Sequence, residues 1–147
     1  MKDYKHILIA TDATPDSDLV AIRAARTAEV YGASITMLHV LEHLPTDIPV
    51  EPVPPEGVDK IEWFRNYARK TLEALAERTG LSVARISVAV TPDSARKEIT
   101  RFAHEQDVDL IIIGAHERHG IAFFHGATTD GVVHKAPCDV LVVHIEP

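Results

Sequence analysis

The stretch Gly114-Ala115-His116-Glu117-Arg118-His119-Gly120-Ile121-Ala122-Phe123-Phe124-His125-Gly126 carries the densest set of reactive side chains in this sequence. Glycines at a strand-to-helix step let main-chain N–H groups approach an anion, and a helix start at Gly126-Ala127-Thr128 adds a favourable dipole. His116, His119, His125 and Glu117 are also the donor types that hold zinc or nickel. Their spacing, H-x2-H-x5-H, fits no zinc pattern, so the histidines read as solvated loop residues and no metal is expected. Ala10-Thr11-Asp12 sets a carboxylate directly after an apolar run. There it can accept hydrogen bonds from a ribose or hold a metal-bound water, or equally satisfy amides of its own turn. His39-Val40 and Thr91-Pro92-Asp93 close two further apolar runs. Nucleophilic catalysis finds no support: no serine stands in a G-x-S-x-G setting, and Cys138, following Pro137, reads as a small core hydrophobe.

These residues need elements to position them. Ile7–Ala10, Ile35–Val40, Leu110–Ile113 and Val140–Val143 are continuous apolar runs, the pattern of parallel strands covered on both faces. A fifth run, Val83–Val90, alternates and predicts a less buried strand. Between them lie four helical segments. Thr14-Pro15-Asp16 signals a start, and that helix runs to Tyr31 and stops at Gly32. The second spans 57–79 with an apolar stripe of Ile61, Phe64, Ala68, Leu72 and Leu75, while Trp63 and Tyr67 share another face. The third covers 94–106, with Ala95, Ile99, Phe102 and Ala103 inward. The fourth covers 126–135, with Val132, Val133 and Ala136 inward. Strictly alternating β and α elements predict a doubly wound, Rossmann-like parallel α/β sheet of five strands with four helices on both faces. In such a sheet ligands bind beyond the carboxyl ends of the strands, which is where Asp12, Val40 and Gly114 fall.

Composition bounds the rest. With 147 residues, 46% apolar and 25% charged, the chain is expected to form one domain, 1–147, with a proline-rich loop or lid at 41–57. At this length roughly 68–70% of the unfolded surface is buried, so a core forms without metal or disulfide staples. The net charge of −7 argues against nucleic-acid or anionic-membrane partners. A single cysteine, no signal-like leader and no run of the ~20 apolar residues that span a bilayer predict a soluble, cytoplasmic protein. Asp107 and Asp109, at the wrong edge of the sheet for a site, read as solubilising charges.

Four segments resemble the universal stress protein family, and together they extend over essentially the whole chain. They are Lys5-His6-Ile7-Leu8-Ile9-Ala10-Thr11-Asp12, Leu38-His39-Val40, Asp107-Val108-Asp109-Leu110-Ile111-Ile112-Ile113-Gly114 and Ala136-Pro137-Cys138-Asp139-Val140-Leu141-Val142-Val143. The resemblance implies strand order 3-2-1-4-5, a homodimer, a role in stress survival and, in one branch, ATP binding. That branch carries G-x2-G-x9-G-[ST]. Here Gly114 fits, Glu117 replaces the second glycine, the step to Gly126 is one residue short, and Ala127 stands at the hydroxyl position. A carboxylate at 117 faces a triphosphate of like sign, and two unit charges about 4 Å apart repel by ~4 kcal/mol at an effective dielectric of 20. The chain is thus similar to the branch without the glycine motif, the universal stress protein A type, for which no cofactor is expected. If a nucleotide binds, the resemblance assigns it to Ala10, Thr11, Asp12 and Val40 for the nucleoside. Gly114, His116, Arg118, Gly126, Ala127 and Thr128 would then surround the phosphates.

In the implied order the fifth strand is an edge, yet Val140–Val143 is apolar on both faces. Pairing with its own copy across a two-fold axis would remove that edge, so Cys138–Ile145 is the expected homodimer seam. The reading is of a non-enzymatic homodimeric module acting through protein partners whose identity the sequence does not give.

Overall fold

In the computed structural model residues 3–12, 14, 16–42, 53–116 and 126–145 are described. The elements are β1 (His6–Ala10), α1 (Ser17–Tyr31), β2 (Ser34–Leu41), α2 (Lys60–Thr79), β3 (Arg85–Val90), α3 (Ala95–Glu105), β4 (Leu110–His116), α4 (Gly126–Lys135) and β5 (Asp139–Ile145). The five strands form one parallel sheet in the order β3-β2-β1-β4-β5. β1 lies at its centre, and chain order reverses between β1 and β4.

Successive residues of a strand point to opposite faces, so a strand covered on both sides must be apolar at every position. Ile7 and Ile9 enter the core under α1 and α2 with Ile35, Met37, Leu72 and Ile112. Leu8 and Ala10 enter the other core, under α3 and α4, with Leu38, Ile99, Ile111, Ile113 and Val132. The continuous runs in the sequence are therefore two interleaved faces. β3, at the edge, is only half-buried for most of its length.

Helix ends follow local chemistry. Gly32 (φ 66°) and Gly80 (φ 68°) close α1 and α2 in the left-handed region that glycine adopts without a Cβ penalty. The Asp59 carboxylate accepts from the Glu62 amide and Ser94 Oγ from the Lys97 amide, capping α2 and α3.

Several expectations need correction. α1 opens at Ser17 with Asp16 at its N-cap, later than Thr14-Pro15-Asp16 suggests, because the Thr14 amide and hydroxyl bind Asp12 instead. α2 starts at Lys60, and Ile61 is 42% exposed, so the buried stripe begins further along at Ala68. Val133 is also exposed, while Val132 is fully buried. Trp63 and Tyr67 do share a face and stack, their ring centroids 5.5 Å apart. Asp109 is not a solubilising charge: its carboxylate accepts from the amides of Lys5 and His6 and anchors the start of β1. Most of the proline-rich segment lies outside the described residues, as does the step 117–125. Among the described residues no helix is long and apolar enough to cross a membrane.

Candidate functional site

At the switch point β1 and β4 run side by side, with Ala10 opposite Ile113, and α1 lies over their carboxyl ends. A crevice opens there, lined by Ala10, Thr11, Asp12, Ser17, Val20 and Gly114, with Ile145 of β5 closing one side. Of the residues selected from sequence, Ala10, Thr11, Asp12 and Gly114 do meet at this point. Val40 does not line it: its side chain is buried in the α3/α4 core, which leaves main-chain atoms for any ligand near it. Thr128 is half-buried in the first turn of α4, whose first residues are Gly126 and Ala127, and His116 ends β4. Arg118 and Glu117 lie outside the described residues, as do His119 and His125.

The polar groups of the crevice are already engaged with one another. Asp12 accepts from the Thr14 amide (3.1 Å), the Thr14 hydroxyl (2.8 Å) and the Ser17 hydroxyl (3.2 Å). Thr11, buried, donates its hydroxyl to Ser17 Oγ at 2.8 Å and its amide to the Leu38 carbonyl at 3.0 Å. This is an Asx-type turn extended into the first residue of α1, a local use of aspartate that needs no ligand. The hydroxyl of Thr129 donates to the Gly114 carbonyl at 3.0 Å and ties α4 to the end of β4.

Gly114 has a packing reason to lack a side chain. A Cβ there would stand 2.7 Å from Ile145 Cδ1 and 3.0 Å from Val20 Cγ2, so these two apolar side chains close over the position where a phosphate-cradling glycine was expected. The space remaining is about 10 Å³, room for roughly one water molecule. Ser17, Val20 and Ile145 were not foreseen. Ser17 had a faint signal, a hydroxyl soon after the strand-end carboxylate, whereas Ile145 becomes visible only through the β4·β5 register, which pairs Gly114 with Val143.

Beside this crevice His39 donates from Nδ1 to the Thr11 carbonyl at 2.8 Å, since a carbonyl can only accept. Burial lowers its pKa below the ordinary 6.5, opposed by the Thr11 hydrogen bond and the nearby Asp12 charge. The folded state thus favours the neutral ring. Its contribution to stability is complete above pH 6.5 and is lost as pH falls from 6.5 towards the lowered value, where the unfolded chain binds the extra proton. Urea unfolding across that range is expected to show a shallower acid decline for His39→Gln than for the natural chain. Equal slopes would contradict the assignment.

Among the described residues no group of histidine, cysteine or carboxylate side chains is arranged to hold a metal ion. The fold and site define a doubly wound α/β protein whose switch-point crevice is narrow and internally hydrogen-bonded. Residues 3–144 match the model of the universal stress protein family, and the chain belongs to that family. It is 35% identical over 147 residues to universal stress protein A homolog 2 of Coxiella burnetii, covering 99% of both chains. Among solved structures it is similar to a universal stress protein in complex with cAMP (TM-score 0.67, 18% identity, 97% of this chain and 98% of that one). It is likewise similar to the universal stress protein from Archaeoglobus fulgidus in complex with dAMP (TM-score 0.66, 20% identity, 96% and 98%).

Proposed function

We propose that this chain is a non-enzymatic, homodimeric stress-response module of the cytoplasm that holds ATP weakly or not at all and acts through protein partners. The observation carrying this reading is the narrow crevice: Ile145 and Val20 occupy the space over Gly114, and Asp12 Oδ1 already accepts from Thr14 and Ser17. A triphosphate would have to displace packed apolar groups and break that turn, and the sequence adds a carboxylate, Glu117, to the same step. Dimerisation is supported by β5. It is the last strand of the sheet, its Val142 is 38% exposed and Val140 is half-buried, and its outer edge has no strand partner among the described residues. Antiparallel pairing through Cys138–Ile145 would cover that edge.

A second reading, an adenine-nucleotide sensor, is favoured by the two similar structures, both of which hold nucleoside monophosphates. A monophosphate needs less of the phosphate cradle, and on this reading Ala10, Thr11, Asp12 and main-chain atoms of Val40 would take the nucleoside. Gly114, His116, Arg118, Gly126, Ala127 and Thr128 would take the single phosphate. Calorimetric titration of one preparation with MgATP and with AMP separates the readings. The expected result for MgATP is a dissociation constant weaker than ~10 µM, with light scattering giving twice the mass of one chain. Tighter ATP binding would overturn the first reading, and a monomeric mass would overturn the dimer.

A further inference from the structure

On the outer surface of the α3/α4 layer, away from the crevice and sharing no residue with it, the two helices flank a half-open groove of about 460 Å³. That volume is typical of small-molecule sites. α3 contributes Arg96, Lys97 and Thr100, and α4 contributes Asp130, His134 and Lys135. Three permanent cations and one carboxylate thus line a groove on a chain whose net charge is −7.

The cations differ in how far they are already committed. Lys97 pairs with Asp93 at 3.3 Å, and Asp130 faces His134 at 3.6 Å. Asp93 is held below its usual range first by the Ser94 amide, then by Lys97, and it also feels the charge of Arg96. Neither Arg96 nor Lys135 makes an ion pair among the described residues. Arg96 is nevertheless placed by packing. Gly131 of α4 lies directly beneath its stem: a Cβ there would come within 2.6 Å of Arg96 Cδ and 3.4 Å of Arg96 Cβ. A bare main chain at 131 lets the aliphatic part of Arg96 lie against α4 with its guanidinium at the groove.

We propose that this groove binds the phosphate group of a small anion, with Arg96 and Lys135 as its principal ligands. A guanidinium fork matches phosphate oxygens two at a time, and an ammonium adds a point charge. The short extent of the groove, confined to two helices, and the net charge of −7 favour a compact ligand over a nucleic acid, which needs an extended basic stripe.

The test is an amide-shift titration of the intact chain at constant ionic strength with ribose 5-phosphate, inorganic phosphate and ribose. The expected result is a dissociation constant at or below ~1 mM for a phosphate-bearing probe, none for ribose, and shifts confined to the two helices around residues 95–100 and 130–135. Preference for ribose 5-phosphate assigns an organic ester as the source, and equal affinity assigns free phosphate. Arg96→Gln and Lys135→Gln, both at the surface, should each weaken binding about tenfold or more. Gly131→Ala keeps every charge but displaces the Arg96 stem, and it should weaken binding too, which general charge attraction would not explain. The proposal is overturned if neither phosphate probe binds by ~10 mM, if the shifts map to Asp12 and Gly114, or if the three variants bind as the natural chain does. It is also overturned if only an acidic peptide or an RNA oligonucleotide shifts these residues.

Discussion

Gly114→Ala is expected to cost the folded chain about 1–3 kcal/mol, and to cost far less once Ile145 has been shortened. The added methyl has nowhere to go. Ile145 Cδ1 and Val20 Cγ2 would stand 2.7 and 3.0 Å from it, and both side chains belong to the packed core under α1 and α2. Ile145→Ala alone removes a side chain that is 3% exposed and is expected to cost about 2–5 kcal/mol, through lost transfer energy and the cavity left behind. In the double variant the alanine at 114 occupies part of that cavity. The two losses then sum to less than their separate values, a coupling within the ~0.5–3 kcal/mol range of residues in contact. The cycle distinguishes two explanations of one residue. A glycine retained only for the approach of a phosphate gives a small single loss and additive behaviour in the ligand-free chain. A glycine retained for packing gives a large single loss and rescue. Urea unfolding of the four proteins measures the difference, and additivity within ~0.3–0.5 kcal/mol would refute the packing account.

The same residue shows where the sequence stops being readable. Its place at the end of a buried strand follows from Leu110–Ile113, because unbroken apolar runs have few other uses in a chain with helical spacers. The helix stops at Gly32 and Gly80 are equally plain, since a left-handed closing residue selects glycine. The neighbours of Gly114 depend on which strand lies beside β4 and in what register, and Ile145 is distant in the chain. Helix starts fail for a different reason. Thr14 has two competing uses, capping a helix or closing a turn on Asp12, and the turn wins here. Ile61 and Val133 obey helical periodicity yet are exposed, because periodicity finds a face without saying how far along the helix a neighbour covers it. Asp12 itself was legible as a switch-point carboxylate, but its engagement with Ser17 required α1 to begin where it does.

Asp109→Ala is expected to destabilise the chain by about 1.5–3 kcal/mol, the range for hydrogen bonds to a charged group, although this aspartate stands at the edge farthest from any site. Its oxygens accept from the Lys5 amide at 3.1 and 2.9 Å and from the His6 amide at 3.2 and 3.3 Å. Its own amide donates to the His6 carbonyl at 3.0 Å. On the other side the Ser34 amide donates to the Lys5 carbonyl at 2.9 Å, so the first residues of the central strand are held from both β4 and β2. The His6 ring adds a third tie, donating from Nδ1 to the Gln106 carbonyl, which leaves Nε2 of a neutral ring to accept from the Thr36 hydroxyl. Removing the carboxylate leaves two strand-end amides to water at the point where β1 enters the sheet, and their hydrogen exchange should accelerate beyond that of the strand centre. Asp109→Asn keeps one acceptor oxygen and is expected to lose less. Asp107, two residues earlier and alike in charge, supplies the control. It sits at φ 52°, in the left-handed region, so Asp107→Gly relieves a backbone cost and should leave stability unchanged or raised. The two aspartates look interchangeable in the sequence because charge is all that a sequence displays of them. If Asp109→Ala were as stable as the natural chain, or Asp107→Gly fell as far as Asp109→Ala, the clamp on β1 would not be what holds this end of the sheet.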